Sequence, residues 1–432
     1  MILVRNTGPL RGEIEIQGSK NAVLPMMAAA LLGEGSTTFT NVPRIQDVFC
    51  MMGILRFIGC RCDLDGNTLT IDTSIVERTQ IPEKYVTAMR SSVVILGALL
   101  ARKGEAATWY PGGCLIGKRP IDLHIKALAC LGAEITEEHG QILAKSQGLT
   151  GGDIEFPYPS VGATENALLA AVTASGTTRI RGAAREPEIE ELCLLLNQMG
   201  ADIQGIGTSS LTIQGVKKLS GVTRRITGDR IVAGTYLAAV MACRGKALLR
   251  GVNPCHLEAV LKTFSRCGAQ FETEDQRIEV VMEGPPRGFE VITEPYPGFP
   301  TDLQSPAMAV MAVASGTSRI VENVFESRFR LAEELKKLGA RIAIDGNEAR
   351  ILGAEGQFKL KGGILEATDL RGGAAALIGG LTAEGTTGIT KSRYIKRGYE
   401  DICRDLRRLG ADVWEEAWKN NLTGKESEKQ RR

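Results

Sequence analysis

Histidine is almost missing from this chain: among 432 residues there are three, His124, His139 and His256. Their spacing fits no metal-ligand pattern, and a histidine-based catalytic triad has little to draw on. Cysteine occurs ten times, but no two form a CxxC pair, and only Cys60 and Cys62 stand close together. That argues against a zinc site and against a disulfide framework, so a reducing, cytoplasmic setting is expected. No apolar run reaches membrane-spanning length, and the N-terminal stretch lacks the apolar core of a signal peptide; membrane insertion is not expected. Net charge is also lacking. The 52 Lys and Arg residues against 50 Asp and Glu leave +2, which is no mark of a nucleic-acid or general polyanion binder. No cofactor or metal requirement is legible, and nothing fixes the oligomeric state, a monomer being the simpler expectation. The length exceeds one ordinary core, so two domains are expected.

What is present is a repeat. Segments resembling "GTTRIRGAAREPEIEELCLLLNQMGADI" begin at Gly35, Gly104, Gly176, Gly245, Gly316 and Gly385, at spacings of 69, 72, 69, 71 and 69 residues. Each reads as a short alternating strand, a loop, and an amphipathic helix with apolar residues at helical spacing, such as Leu331, Leu335 and Leu338. A glycine closes that helix (Gly59, Gly132, Gly200, Gly268, Gly339 or Gly410), as a left-handed cap requires. Strands follow, and then a second helix that is apolar almost all round, as in "NAVLPMMAAALL", "ENALLAAVTA", "VAGTYLAAVMA" and "SPAMAVMAVA"; such helices belong inside a core. Six βαβαββ-like units in two sets of three are expected.

The starts of these apolar helices are polar: Lys20-Asn21, Met89-Arg90, Ser160 to Gly162, Asp229-Arg230, Thr301-Asp302 and Asp369 to Arg371. Ser160, Asp229, Thr301 and Asp369 can serve simply as N-caps. Capping gives no reason for Lys20, Arg90, Arg230 or Arg371, because a cation at the positive end of a helix is out of place unless an anion is expected there. A further oddity is Cys114, a lone thiol on the glycine-rich loop "WYPGGCLIGKRP" beside Lys118 and Arg119. Neighbouring cations favour a thiolate, whereas Cys130 and Cys193, in apolar helical runs, are expected to be buried and inert.

Taken together, "GSKNAVLP", "AMRSS", "PGGCLIGKRPIDLH", "SVGATEN", "FPTDLQ", "VFESRF", "ATDLR" and "RGYE" resemble the enolpyruvyl transferases, in register over residues 1–418. The resemblance implies an α/β fold of two similar domains, each of three βαβαββ repeats with buried helices and outer sheets: an inside-out α/β barrel. The implied domains are 18–228, and 1–17 joined to 229–419, with 420–432 a disordered tail. The implied reaction moves the enolpyruvyl group of phosphoenolpyruvate to the 3-hydroxyl of UDP-N-acetylglucosamine with release of phosphate, the committed step of peptidoglycan synthesis. No cofactor is implied beyond these two small-molecule partners.

By the same resemblance, Cys114 is the proton donor and the target of the epoxide antibiotic fosfomycin, and Asp302 holds and deprotonates the attacking hydroxyl. Lys20 and Arg397 join them in catalysis. Lys20, Asn21, Arg119, Arg328, Arg371 and Arg397 face phosphoenolpyruvate. Asn21, Arg90, Arg119, Pro120, Ile121, Asp122, Leu123, His124, Tyr158, Pro159, Ser160, Val161, Gly162, Asp302 and Val324 face the sugar nucleotide. Because these come from both halves, closure of the domains on the nucleotide is expected, with ordering of the loop 111–120. Tyr158, Tyr394, Lys396 and Gly372 depart from the family pattern. Other readings stay open: the shikimate-pathway sibling, a low-activity regulatory paralogue, and a ring-shaped DNA clamp built from repeated βα units. The clamp has no use for the cysteine loop.

Overall fold

The computed structural model describes residues 1–112 and 120–416. The seventy-residue period appears as six sheets on a common plan. In one of them, Asp153–Glu155 runs parallel to Thr177–Arg181, which pairs antiparallel with Ser210–Gln214, which pairs in turn with Asp202–Gln204. Alternation puts Ile154, Ile180, Leu211, Ile213 and Ile203 on the inner face, all buried. The sheet of Glu290–Ile292, Thr317–Val321, Glu348–Leu352 and Arg341–Asp345 repeats this order.

Three sheets complete the plan with borrowed strands. Ile2–Arg5 supplies the hairpin position between Thr386–Thr390 and Asp412–Glu415. Arg11–Glu15 lies parallel to Lys246–Arg250, and Thr223–Arg225 lies parallel to Ser36–Thr40. The first fifteen residues are thus tied to strands more than two hundred residues away.

Two hydrophobic cores result. One gathers side chains between Ala22 and Ile226; the other gathers Ile2 to Ile16 with Ile231 to Val413. They are called the first and second lobes below. The chain crosses between them at two points that touch. Gly18 and Gly228 form an antiparallel bridge, flanked by Ser19 N–H to Thr227 O (2.7 Å) and Asp229 N–H to Gln17 O (2.9 Å).

The apolar helices form the centre of each lobe. Arg230–Ala242, Gln304–Ala312 and Leu370–Thr382 pack on one another in the second lobe; Lys20–Ala29, Ile95–Lys103 and Val161–Ala171 do so in the first. Every residue of Arg230–Ala242 is buried, as a helix without a polar face requires. The six closing glycines all adopt positive φ, from 88° at Gly132 and Gly410 to 118° at Gly59. Two of the six helices start differently from expectation. Arg90–Val94 and Thr301–Leu303 are 3-10 turns that lead into the helix proper.

Candidate active site

The helix starts of the two lobes meet around shared carboxylates. Asp229 caps its own helix by accepting the Ile231 and Val232 N–H groups through Oδ1 (2.9 and 3.0 Å), while its Oδ2 accepts the Lys20 backbone N–H (3.0 Å). One carboxylate therefore satisfies orphan amides of two helices, one from each lobe. Ser19 caps the Lys20–Ala29 helix as well, through the Ala22 N–H.

The side chain of Lys20 is buried and pairs with Asp47 Oδ2 at 2.9 Å. Asp47 lies in the first turn of Gln46–Ile58 and is gripped by Arg397 of the second lobe, Nε to Oδ1 at 2.9 Å and Nη2 to Oδ2 at 3.1 Å. Burial alone would raise the Asp47 carboxyl, but Lys20 and Arg397 outweigh it and hold it below the ordinary carboxylate range. Gln17 steadies the Arg397 segment by donating to Gly398 O (3.1 Å) and accepting the Glu400 N–H (2.7 Å).

Asp302 forms the second cluster. Its Oδ1 lies 2.7 Å from Arg328 Nη2 and its Oδ2 lies 3.2 Å from Arg371 Nε. Both arginines are buried, Arg371 to 1% exposure. Arg371 also lies over the Tyr399 ring at 5.6 Å, and the Tyr399 hydroxyl is hydrogen bonded to Thr235 at 2.8 Å. Arg371 Nη1 and Arg328 Nε are buried without a hydrogen-bond partner among the described residues. Burial pushes the Asp302 carboxyl up; Arg371, Arg328 and Lys20 outweigh it and hold it far below its ordinary value. Thr301, expected as an N-cap, instead donates its hydroxyl to Glu322 Oε2 (2.9 Å). Glu322 Oε1 accepts the Val324 and Phe325 N–H groups at 2.9 and 3.1 Å, shaping the loop that leads to Arg328.

The remaining expected residues lie in the first lobe, apart from Val324, which is exposed on that loop. Asn21, Val161 and Gly162 are half-buried, and the Ser160 hydroxyl accepts the Ala163 N–H at 3.5 Å. Arg90 donates to Pro120 O at 3.1 Å. Pro120, Asp122, Tyr158 and Pro159 are exposed, while Ile121, Leu123 and His124 are buried. Cys114, Lys118 and Arg119 lie outside the described residues, as does the expected tail 420–432.

Some expectations need correction. Arg230 does not await an outside anion: Glu188 grips it from the first lobe, Nε to Oε1 at 3.0 Å and Nη2 to Oε2 at 3.1 Å. Cys130 is exposed, because it falls at the outward end of Asp122–Cys130, whereas Cys193 is buried and its thiol is pushed up to about 12 by burial. Of the departures from the family pattern, Lys396 pairs with Glu415 at 2.9 Å, and Tyr394 is half-buried.

Sequence reasoning missed Asp47, Glu188 and Glu322. The available signal was indirect: each buried cation or hydroxyl needs a partner, and an acid must come from somewhere in the chain. Among the described residues no group of three His, Cys, Asp or Glu side chains is arranged to hold a metal ion, and no helix is long and apolar enough to cross a membrane.

The family model described as EPSP synthase (3-phosphoshikimate 1-carboxyvinyltransferase) matches residues 4–406. UDP-N-acetylglucosamine 1-carboxyvinyltransferase 2 of Caldanaerobacter subterraneus is 44% identical over 405 residues, covering 94% of this chain and 96% of that protein. The UDP-N-acetylglucosamine 1-carboxyvinyltransferase of Thermotoga petrophila is 45% identical over 414 residues, covering 95% and 98%. Among solved structures, the enolpyruvyl transferase NikO from Streptomyces tendae superposes with a TM-score of 0.86 at 25% identity, over 96% of this chain and 98% of that one. EPSP synthase from Acinetobacter baumannii superposes at 0.72 with 19% identity, over 96% and 100%, a likeness of fold.

Proposed function

The chain belongs to the EPSP synthase family of carboxyvinyl transferases, and from that premise we propose how its residues divide the work of enolpyruvyl transfer. The enzyme moves the enolpyruvyl group of phosphoenolpyruvate to the 3-hydroxyl of UDP-N-acetylglucosamine and releases phosphate, the committed step of peptidoglycan synthesis. The observation that carries the residue assignment is the meeting of Lys20, Arg328, Arg371 and Arg397 around two carboxylates where the helix starts converge.

Phosphoenolpyruvate carries a phosphate and a carboxylate, so it needs cations on two sides. Lys20 and Arg397 take the phosphate, with Arg119 of the loop and Asn21 beside them. Arg328 and Arg371 take the carboxylate; their unpartnered buried N–H groups supply the extra donors. In the addition step the 3-hydroxyl oxygen bonds to C2 of phosphoenolpyruvate, Asp302 accepts the hydroxyl proton, and Cys114 gives a proton to the methylene carbon. In the elimination step the Cys114 thiolate takes a proton from the new methyl group, the C2–O bond to phosphate breaks, and the proton held by Asp302 leaves with the phosphate, restoring the double bond and both side chains.

Asp302 clamped by two guanidiniums is a poor base. Entry of the substrate carboxylate draws Arg328 and Arg371 away from it and raises its basicity when the hydroxyl arrives. Arg90, residues 120–124 and 158–162, and Val324 hold the sugar nucleotide, with the Ser160–Gly162 helix start facing its diphosphate.

A second reading, transfer to shikimate 3-phosphate, draws on the family model's description. The 19% identity to a solved EPSP synthase, against 44–45% to the sugar-nucleotide enzymes, favours the latter. We place the enzyme in the cytoplasm, in keeping with nine described cysteines that are all free. Phosphate release from phosphoenolpyruvate, measured with each acceptor in turn, tests the reading: release with UDP-N-acetylglucosamine supports it, and release only with shikimate 3-phosphate overturns it.

A further inference from the structure

We propose that Asn166 is a positioning residue that holds His124 as the neutral Nε2–H tautomer, giving the first lobe a fixed N–H donor beside the helix start at Ser160–Gly162. What that donor serves, an anionic oxygen of the sugar nucleotide, rests on the reading above; the tautomer does not.

The assignment follows from two backbone groups that have no freedom of role. Asn166 is fully buried in Val161–Ala171. The Gly97 N–H can only donate, and it meets one end of the Asn166 amide at 2.8 Å, so that end is Oδ1. The Val93 carbonyl can only accept, and it meets the other end at 2.9 Å, so that end is the NH2 group. Its second N–H points at His124 Nδ1, 2.7 Å away. Nδ1 must therefore accept and carries no proton, which leaves the ring proton on Nε2. A doubly protonated ring would lose this bond and set two N–H groups against each other.

Close packing keeps the arrangement in register. A Cβ at Gly97 would stand 2.6 Å from the Asn166 carbonyl oxygen and 2.7 Å from Oδ1. A Cβ at Gly162 would stand 2.9 Å from His124 Cε1 and 3.2 Å from Nε2. The Nε2 edge of the ring thus borders the backbone at the helix start, where free N–H groups already favour an anion. An Nε2–H adds a donor to that set. The other tautomer would present a lone pair and repel the same oxygen. Asn166 ties together three chain segments that carry nucleotide-binding residues: Arg90–Val94 with its continuation, Asp122–Cys130, and Val161–Ala171.

Ring 15N–1H correlation spectra of the full-length protein test this directly, with His124→Ala identifying the signal among the three histidines. The wild-type ring should show the Nε2–H pattern. In Asn166→Leu it should become a mixture of tautomers. The KM for UDP-N-acetylglucosamine should rise about tenfold, the size of one hydrogen bond to a charged group, with kcat and the KM for phosphoenolpyruvate little changed. In a His124→Ala background the same substitution should add nothing. Asn166→Asp keeps an acceptor for Gly97 but replaces the donor facing Nδ1, so it should draw a second proton onto the ring at neutral pH. An Nδ1–H wild-type ring, a neutral ring in Asn166→Asp, or a full KM effect without His124 would overturn the proposal. If Asn166→Leu does not fold, the wild-type and Asn166→Asp spectra still decide it. Absence of phosphate release by the wild-type enzyme would sink the reaction assignment instead and leave the tautomer to the spectra.

Discussion

Asp47 and Asp302 each hold two cations, yet they are different devices. Asp47 is buried to 3% exposure and draws Lys20 from its own lobe and Arg397 from the other. The Asp302 side chain keeps 28% exposure, and both its partners, Arg328 and Arg371, come from its own lobe. A buried pair that crosses lobes fastens them, because separating the lobes strands charges without partners. In the reaction proposed above, the partly open carboxylate clamped within one lobe gives up its guanidiniums to the substrate carboxylate. The Glu188–Arg230 pair, also buried and also crossing lobes, belongs with the first kind.

The contrast can be broken most severely at the fastener. Asp47→Ala leaves Lys20 and Arg397 facing each other without their anion and should cost about 3–5 kcal/mol in urea unfolding. Phosphoenolpyruvate should return part of that loss, since it offers a replacement anion. A cost below about 1 kcal/mol, the range of surface pairs, would remove the distinction. Asp302→Asn should act on chemistry instead: turnover should fall by about a hundredfold or more, while sugar-nucleotide binding weakens less. Near-normal turnover would take Asp302 out of the mechanism.

The pH response sharpens the comparison. Asp47 and Asp302 both have folded-state values below their unfolded ones. Their stabilisation is therefore complete above the unfolded carboxylate range, near pH 4, and drains away as pH falls through the folded values. Glu165 is the opposite case. It is buried in Val161–Ala171, and burial, with Glu188 and Glu186 nearby, raises it well above the ordinary value. Stability is then lost as pH rises from the unfolded value toward the folded one. Glu165→Gln should raise the melting temperature at pH 8 and change it little at pH 4; an equal shift at both would contradict the assignment.

The smallest effect concerns thiols. Among the described cysteines, Cys130 and Cys255 are exposed and should take iodoacetamide in the native protein. Cys193, Cys243 and Cys403, each pushed up to about 12 chiefly by burial, should not. Fosfomycin, a small anion that needs the cations of the site, should label Cys114 instead and spare Cys130; peptide mass mapping separates the two patterns.

Much of this was legible along the chain. The repeat, the buried helices and the closing glycines follow from periodicities of two and 3.6 and from the backbone freedom of glycine, which are local properties. The unusual cations Lys20, Arg230 and Arg371 were legible too, because a charge opening an apolar helix is conspicuous wherever it occurs. Their partners were not. Asp47 lies 350 residues from Arg397, and Glu188 lies 42 from Arg230. Nothing in "RIQDV" or "REPEIE" separates these acids from those on solvated surfaces. That Arg230 is neutralised from within the protein, that Thr301 turns to Glu322 rather than capping, and that Cys130 faces outward all depend on how helix ends land against distant segments. Local sequence determines which residues can form a helix and which charges need an anion; only the packing of two lobes decides whether that anion is a side chain or a substrate, since burial and distance set the energy of a charge and neither is written along the chain.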